Sequence, residues 1–167
     1  EKTEAVIAAL RELKKSLMKH LFTYGAIAVH ETHVVAVKET EIGPVPEHWA
    51  VRTLRDAVVA TKQVNLAKNP RRLIKYVDVS SIDRSSLRIV GYKEYRGSSA
   101  PSRARKEIRA GDVIFATIRP SLKRLAIVPD TLDGEICSTA FCVARANPDV
   151  ADSRFLFFVA SRDDFVE

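Results

Sequence analysis

Along residues 1–24 the apolar positions Val6, Leu10, Leu13, Leu17, Leu21 and Tyr24 recur at steps of four and three, with lysines, arginine and glutamates between them. That spacing predicts one long helix, and Gly25 is a natural residue to end it. The apolar stripe is narrow, close to a heptad seam, and of the kind that pairs helices. Such a helix spans about 35 Å at about 1.5 Å per residue. Two uses fit it: a helix folded back on its own domain, or a spacer whose seam needs a partner. Residues 26–44 show no sustained period and end in Ile42-Gly-Pro-Val-Pro46, a fixed turn before Trp49. They read as a linker.

From residue 45 onward the pattern becomes compact and mixed. Val51 to Val59 reads as a strand running into a short helix. Leu73 to Val79 (LIKYVDV) and Leu87 to Val90 read as strands. Gly111-Asp112 is a turn, and Val113 to Arg119 (VIFATIR) leaves it as a strand apolar on both faces. Leu125 to Val128 continues that run after an interruption at Arg119-Pro-Ser-Leu122. Cys137 to Ala144 alternates like a half-buried strand, and Asp152 or Ser153 caps a helix carrying Phe155, Leu156, Phe158 and Val159. The class expected is α+β: a twisted mixed β-sheet core with short helices, preceded by a long N-terminal helix of coiled-coil type. The domains expected are a helix over 1–25, a linker over 26–44 and a body over 45–167. Glu1-Lys-Thr-Glu4 reads as the interior of a longer protein, and no stop signal precedes Glu167, so part of the body is expected beyond it.

Composition narrows the function classes. The chain has 167 residues, 46% of them hydrophobic and 29% charged, ordinary values for a globular protein. No apolar run approaches the roughly 18 residues of a membrane span, and the two cysteines, Cys137 and Cys142, read as free thiols in a reducing compartment. A soluble cytoplasmic location is the expectation. His30 and His33 lie three apart without further ligands nearby and read as an exposed pair, so no metal site is expected. With six glycines in the chain, no glycine-rich strand-to-helix turn is available for a nucleotide. Neither Asn69-Pro70 nor Asn147-Pro148 continues into the Pro-aromatic pair of an adenine methyltransferase, and Pro129-Asp130 lacks the spaced acid and lysine of a nuclease metal site. Ser80, Ser81, Asp78 and Asp83 cluster in sequence, but no histidine is placed beside them to make a nucleophile and base. The chain reads as non-catalytic.

Charge is where the chain is distinctive. The formal excess is +6. Between Arg84 and Arg109 stand eight cations (Arg84, Arg88, Lys93, Arg96, Arg103, Arg105, Lys106 and Arg109) against Glu94 and Glu107, a local excess as large as the whole chain's. Nucleic-acid recognition requires cations on loops held by rigid strands, since lysine and arginine neutralise phosphates and a guanidinium fork matches the guanine edge. Three loops fit: Ser80 to Arg88 with Arg84 and Arg88; Arg96 to Lys106 (RGSSAPSRARK) with Arg96, Arg103, Arg105 and Lys106; and Arg119 to Arg124 with Arg119, Ser121, Lys123 and Arg124. Arg119 and Arg124 are expected at base edges because strands hold their loop. Arg103, Arg105 and Lys106 are expected on phosphates, in a loop poorly ordered until it meets DNA. The rival reading is a protein-interaction module that docks a partner through the helical seam, with the basic loops merely solvated.

Several short stretches resemble one family in order and spacing. Glu41-Ile-Gly-Pro-Val-Pro-Glu-His-Trp49, followed by Val51 and Leu54, resembles the entry to a target recognition domain in the specificity subunits of type I restriction-modification enzymes. Tyr76-Val-Asp-Val-Ser80, Ala110-Gly-Asp-Val-Ile-Phe115 with Arg119-Pro120, and Ser138-Thr-Ala-Phe-Cys-Val143 resemble the strands and turns that follow there. The helix from Leu10 to Tyr24, with Leu17-Met-Lys-His-Leu-Phe22, is similar to the end of the first spacer helix, which precedes the second recognition domain. The resemblance implies a non-catalytic subunit that reads one half of a split double-stranded DNA target. It implies helix pairing through Val6, Leu10, Leu13, Leu17, Leu21 and Tyr24, with self-association of the helix as a substitute. The partners implied are methylation subunits, which carry S-adenosylmethionine, and a restriction and translocation subunit; no cofactor is expected in this chain. The first recognition domain and a second spacer helix are absent from the sequence.

Overall fold

The structure, a computed structural model, describes residues 2–118, 122–162 and 165. Two compact units divide the chain, residues 1–52 and 53–167. In the first unit, α1 runs from Lys2 to Tyr24 with no buried residue. Gly25 ends it at φ +83, in the left-handed region, and its N–H donates to the Leu21 carbonyl at 3.0 Å. The stretch expected as a linker is folded. Residues Val29–Val34 form a 3₁₀ turn, and β1 (Val37–Lys38) pairs antiparallel with β2 (Val45–Pro46), which packs near the end of α1. No apolar period announces this segment, because two-residue strands are too short to show one.

The second unit opens with α2 (Leu54–Ala57), which Thr53 and Asp56 cap reciprocally, and runs into β3 (Val58–Val59). Helix precedes strand here, the reverse of the order expected. The strands β4 (Leu73–Val77), β5 (Ile82–Asp83), β6 (Arg88–Ile89), β7 (Lys93–Arg96), β8 (Ala104–Glu107), β9 (Val113–Ala116), β10 (Leu125–Ile127), β11 (Ile136–Ser138) and β12 (Phe141–Ala146) follow, then α3 (Ser153–Ala160). The Asp152 carboxylate caps α3 by accepting from the N–H groups of Arg154 and Phe155. Four-stranded sheets of order β10-β9-β12-β3 and β7-β4-β11-β8 make the body, with β5–β6 as a separate hairpin. The first is antiparallel throughout, and the second contains one parallel pair, β4 with β11.

The core lies between these sheets. One buried cluster joins Val77 and Cys137 of the mixed sheet to Ile114, Ala116, Ala126, Phe141 and Val143 of the antiparallel one. Alternation along β9 explains its apolar run: Ile114 and Ala116 face that cluster, while Val113 and Phe115 face Leu156 and Phe157 of α3. The outer face of the mixed sheet, with Ile74, Tyr76 and Ile136, is covered by Leu66, Val64 and Ala100. The expected single strand from Cys137 to Ala144 is two strands. A turn at Thr139 and Ala140 breaks it, and the chain passes from one sheet to the other.

Candidate nucleic-acid interface

Strand directions decide which loops meet. β4 and β11 run parallel, with Val77 beside Cys137, so their C-terminal ends point the same way. β8 runs antiparallel to β11 with Ala104 opposite Ser138, which brings the entry of β8 to that end. Past the turn, Phe141 at the start of β12 pairs with Ala116 at the end of β9, and Phe115 pairs with Leu125 at the start of β10. Backbone bonds tie the junction together. Thr139 N–H donates to the Arg103 carbonyl at 2.9 Å, and Thr117 N–H donates to the Ala140 carbonyl at 2.9 Å. The exit of β4 toward the β5–β6 hairpin, the entry of β8 and the junction of β9 with β10 therefore share one end of the body.

At that end Arg84, Arg88, Lys93, Arg103 and Lys123 are exposed. Two carboxylates lie among them, and each is satisfied locally. Asp83 accepts from the hydroxyls of Ser85 and Ser86 at 2.6 and 2.7 Å and from both their N–H groups, which holds it far below the usual carboxylate range. Asp78 accepts from the Ser80 hydroxyl at 2.5 Å and from the Lys93 ammonium at 3.0 Å. Burial alone would raise the Asp78 pKa; these hydrogen bonds bring it below the ordinary value. The same contacts shape the loops, because Asp83 draws the Arg84-Ser85-Ser86 tip into a tight turn that Leu87 closes at φ +53. Lys123 sits at φ +47, also left-handed, beside the start of β10.

The residues expected to contact DNA divide among several places. Arg84, Arg88, Arg103 and Lys123 lie at the shared end, while Arg119 and Ser121 fall outside the described residues. Arg96 pairs with Leu73 at the opposite end of its sheet, because β7 runs antiparallel to β4. Arg105 is exposed on β8 and its Nε donates to the Ser102 carbonyl at 2.9 Å. Lys106, expected on a phosphate, is half-buried on the face of β8 shared with Cys137, and its ammonium donates to the Phe141 carbonyl of the other sheet. Arg124, expected at a base edge, is half-buried, and one of its terminal nitrogens donates to the Ile82 carbonyl. Lys106 lies in a charged run and Arg124 just before an apolar strand, where a cation reads as a loop residue; only the fold shows an interior carbonyl accepting from each.

The stretch RGSSAPSRARK is built into the sheet. Relative to β4, β7 is antiparallel, β11 parallel and β8 antiparallel to β11, so β7 and β8 run parallel at opposite edges. The connection between them must cross two strands and return along the sheet. Three strand spacings amount to about 14 Å, within reach of seven residues, which extend to about 24 Å. Residues 97–103 make that crossing over the outer face, with Ala100 packed on the apolar cluster there. Gly97 N–H donates to the Arg72 carbonyl at 2.8 Å and Ser98 N–H to the Pro70 carbonyl at 3.1 Å. A Cβ at Gly97 would stand 2.3 Å from the Asn69 carbonyl oxygen, so glycine is required for this approach. The expected mobile clamp is thus a packed crossover that delivers Arg103 to the shared end.

Sequence reasoning missed three polar residues at this end: Lys93, Thr117 and Thr139. Thr139 sat inside what read as one strand, and Lys93 inside a charged run with no visible alternation. Away from this end, Arg145 and the buried Asp112 form a two-pronged ion pair at 2.8 and 2.9 Å, and Asp112 also accepts the Arg109 N–H at 2.8 Å. Among the described residues no group of three or more His, Cys, Asp or Glu side chains is arranged to hold a metal ion, and no helix is long and apolar enough to cross a membrane.

No family model matches the chain. Over 67 residues, 40% of this chain, it is 33% identical to the type I restriction enzyme HindI specificity subunit of Haemophilus influenzae, covering 15% of that subunit. Its fold matches the crystal structure of the HsdS subunit from Thermoanaerobacter tengcongensis at TM-score 0.67 and 50% identity, over 69% of this chain and 29% of that one. A second solved chain, described under complex assembly and conformational transition of the type I R-M system, matches at TM-score 0.69 and 50% identity, over 71% of this chain and 30% of that one. This chain therefore spans less than a third of the length of each of these relatives. The order of its motifs, the fold they build and this identity agree: over the matched residues the chain is similar to type I restriction enzyme specificity subunits.

Proposed function

We propose that this chain recognises one half of a bipartite double-stranded DNA target for a type I restriction-modification complex. The observation that carries this reading is the convergence at one end of the body of Arg84, Arg88, Lys93, Arg103 and Lys123 from separate loops on strands. Both carboxylates among them are already hydrogen-bonded, so the surface presents net positive charge to a polyanion. The hydroxyls of Ser80, Ser85, Ser86 and Thr117 already donate within the fold, while the exposed Thr139 hydroxyl adds a group suited to phosphate oxygens and base edges. The resident role is binding without chemistry. Methylation subunits carrying S-adenosylmethionine and a restriction and translocation subunit would act as partners in the cytoplasm, and no cofactor is assigned to this chain.

The exposed seam of α1 supports a second, compatible role. Val6, Leu10, Leu13, Leu17 and Leu21 lie one above another and are each about half exposed, a ridge that a partner helix or a second copy would cover. The discriminating experiment measures retention of the chain on duplex DNA at moderate salt with competitor present. It compares the wild type with Arg84→Ala/Arg88→Ala/Arg103→Ala and with Leu10→Gln/Leu13→Gln/Leu17→Gln. The DNA reading requires loss in the first variant and retention in the second; the reverse result would leave only an interaction module. Sequencing methylated adenines in cells carrying the intact system, with and without the arginine substitutions, would then identify the half-site.

A further inference from the structure

Among the described residues, Arg124 is the arginine of the basic end whose side chain reaches into the fold. Its terminal nitrogen donates to the Ile82 carbonyl, at the start of the β5–β6 hairpin. Ile82 itself is fully buried in the inter-sheet cluster, and Ile89 packs against the same cluster. Within the hairpin the Val90 N–H donates to the Ser81 carbonyl at 2.9 Å, while Ile82 and Ile89 stand opposite one another. The Ile82 carbonyl is then turned away from its partner strand, and Arg124 is its donor. The hairpin belongs to neither four-stranded sheet. Among the described residues, its attachment rests on the apolar contacts of Ile82, Leu87 and Ile89 and on this cross-link from the start of β10. The Arg124 Nε is buried and has no hydrogen-bond partner among the described residues. A guanidinium left partly unsatisfied costs stability, and what offsets that cost here is the bond to the Ile82 carbonyl, which an apolar residue would leave without its donor.

We infer that Arg124 is a positioning residue: it locks the 82–89 hairpin to the start of β10, and so fixes Arg84 and Arg88 relative to Arg103 and Lys123 for reading DNA. The left-handed backbone at Lys123 turns the chain so that Lys123 is exposed while Arg124 points inward. Removing the cross-link would keep every exposed cation and let the hairpin, with Arg84 and Arg88, shift against Arg103 and Lys123. Base discrimination needs groups held to a fraction of an ångström, whereas attraction to phosphates tolerates such motion. Arg124 therefore governs specificity more than affinity. The inference rests on the DNA reading above, but its structural half can be tested without DNA.

The test uses the whole chain as wild type, Arg124→Met and Arg124→Lys. Amide hydrogen exchange, without DNA, is measured over residues 82–90. Faster exchange there in both variants, with the β9 and β12 amides still protected, is expected; unchanged exchange overturns the positioning role. Duplexes are then selected by wild-type protein from a randomised pool, and single base-pair variants of the winner are compared. The variants are expected to lose about tenfold in discrimination at several adjacent positions, with the salt dependence of non-specific binding unchanged. A salt slope lower by about 0.9 would make Arg124 a phosphate contact, and a loss confined to one base pair would make it a base reader; either overturns the inference. Should the wild type select no sequence, the DNA reading falls and the exchange measurement still decides whether Arg124 holds the hairpin. If Arg124→Met does not fold, Arg124→Lys, which keeps the charge and loses the fork, carries both measurements.

Discussion

Asp112 and Arg145 show how one residue's burial sets the consequence of losing its neighbour. The Asp112 side chain is 1% exposed and that of Arg145 24%. Arg145→Met strands a carboxylate with no access to water, whereas Asp112→Asn leaves a guanidinium that can turn toward solvent. Breaking a buried pair from one side costs about 3–5 kcal/mol, so Arg145→Met should lower stability by that amount and Asp112→Asn by clearly less. Equal losses in denaturant titrations would contradict the asymmetry. Asp78 gives the pH counterpart. Its pKa is lowered in the folded chain, so its contribution is present above the unfolded value of about 3.9 and is lost as pH falls through the lower folded value. The Ser80 and Ser81 amide resonances should hold their folded positions until the pH drops below about 3.9, and a midpoint above that would refute the assignment. Cys137 is buried, which pushes its thiol up to about 12. Burial raises Cys142 as well. Neither should be alkylated quickly in folded protein near pH 8, while both should react once it is unfolded; rapid labelling of the native chain would argue against this core.

At the scale of elements, the crossover between β7 and β8 is the part most sensitive to a single atom. Gly97→Ala places a methyl group against the Asn69 and Leu66 carbonyl oxygens, at 2.3 and 3.0 Å before any adjustment. The backbone must shift, and a loss of about 1–3 kcal/mol is expected, the range for overpacked sites. An unchanged thermal midpoint would mean that the crossover is not held there. Because the crossing delivers Arg103, the same substitution should also weaken DNA binding more than its distance from the shared end implies. Strands β7 and β8 were missed in the sequence for a related reason. KEYR and ARKE are edge strands, and charge on an edge discourages pairing with other chains. The hydrophobic alternation that marks a central strand is weak in them. Strand β9, buried on both faces, was legible as a strand because nearly every position in it is apolar.

For the whole molecule, position relative to the shared end should rank the cations. Arg84→Ala, Arg88→Ala and Arg103→Ala are each expected to weaken binding to all DNA sequences or to relax one base position. Each lost phosphate contact lowers the log–log salt slope by about 0.9, and each lost base contact costs about 1–3 kcal/mol of discrimination. Arg96→Ala, at the far end of its sheet, should change neither, although it lies in the same basic run. If Arg96 proves as important as Arg103, the interface has been placed on the wrong end. Lys106→Met should alter stability without changing the slope, since its ammonium is engaged by the Phe141 carbonyl.

Periodicity alone determined the long helix, its apolar seam and its stop at Gly25, because these follow from local spacing and backbone freedom. It also determined the apolar strands β4, β9 and β10, and charge counting found a basic region. Tertiary structure decided which of those cations are available. Strand direction sent Arg96 to one end and Arg103 to the other, though six residues lie between them in sequence. Interior carbonyls claimed Lys106 and Arg124, and the path from β7 to β8 turned an apparently flexible basic loop into a packed crossover. These outcomes depend on pairings between residues far apart in the chain, and a pairing leaves little trace in local composition. Charge is visible in one dimension, whereas direction and burial exist only in three.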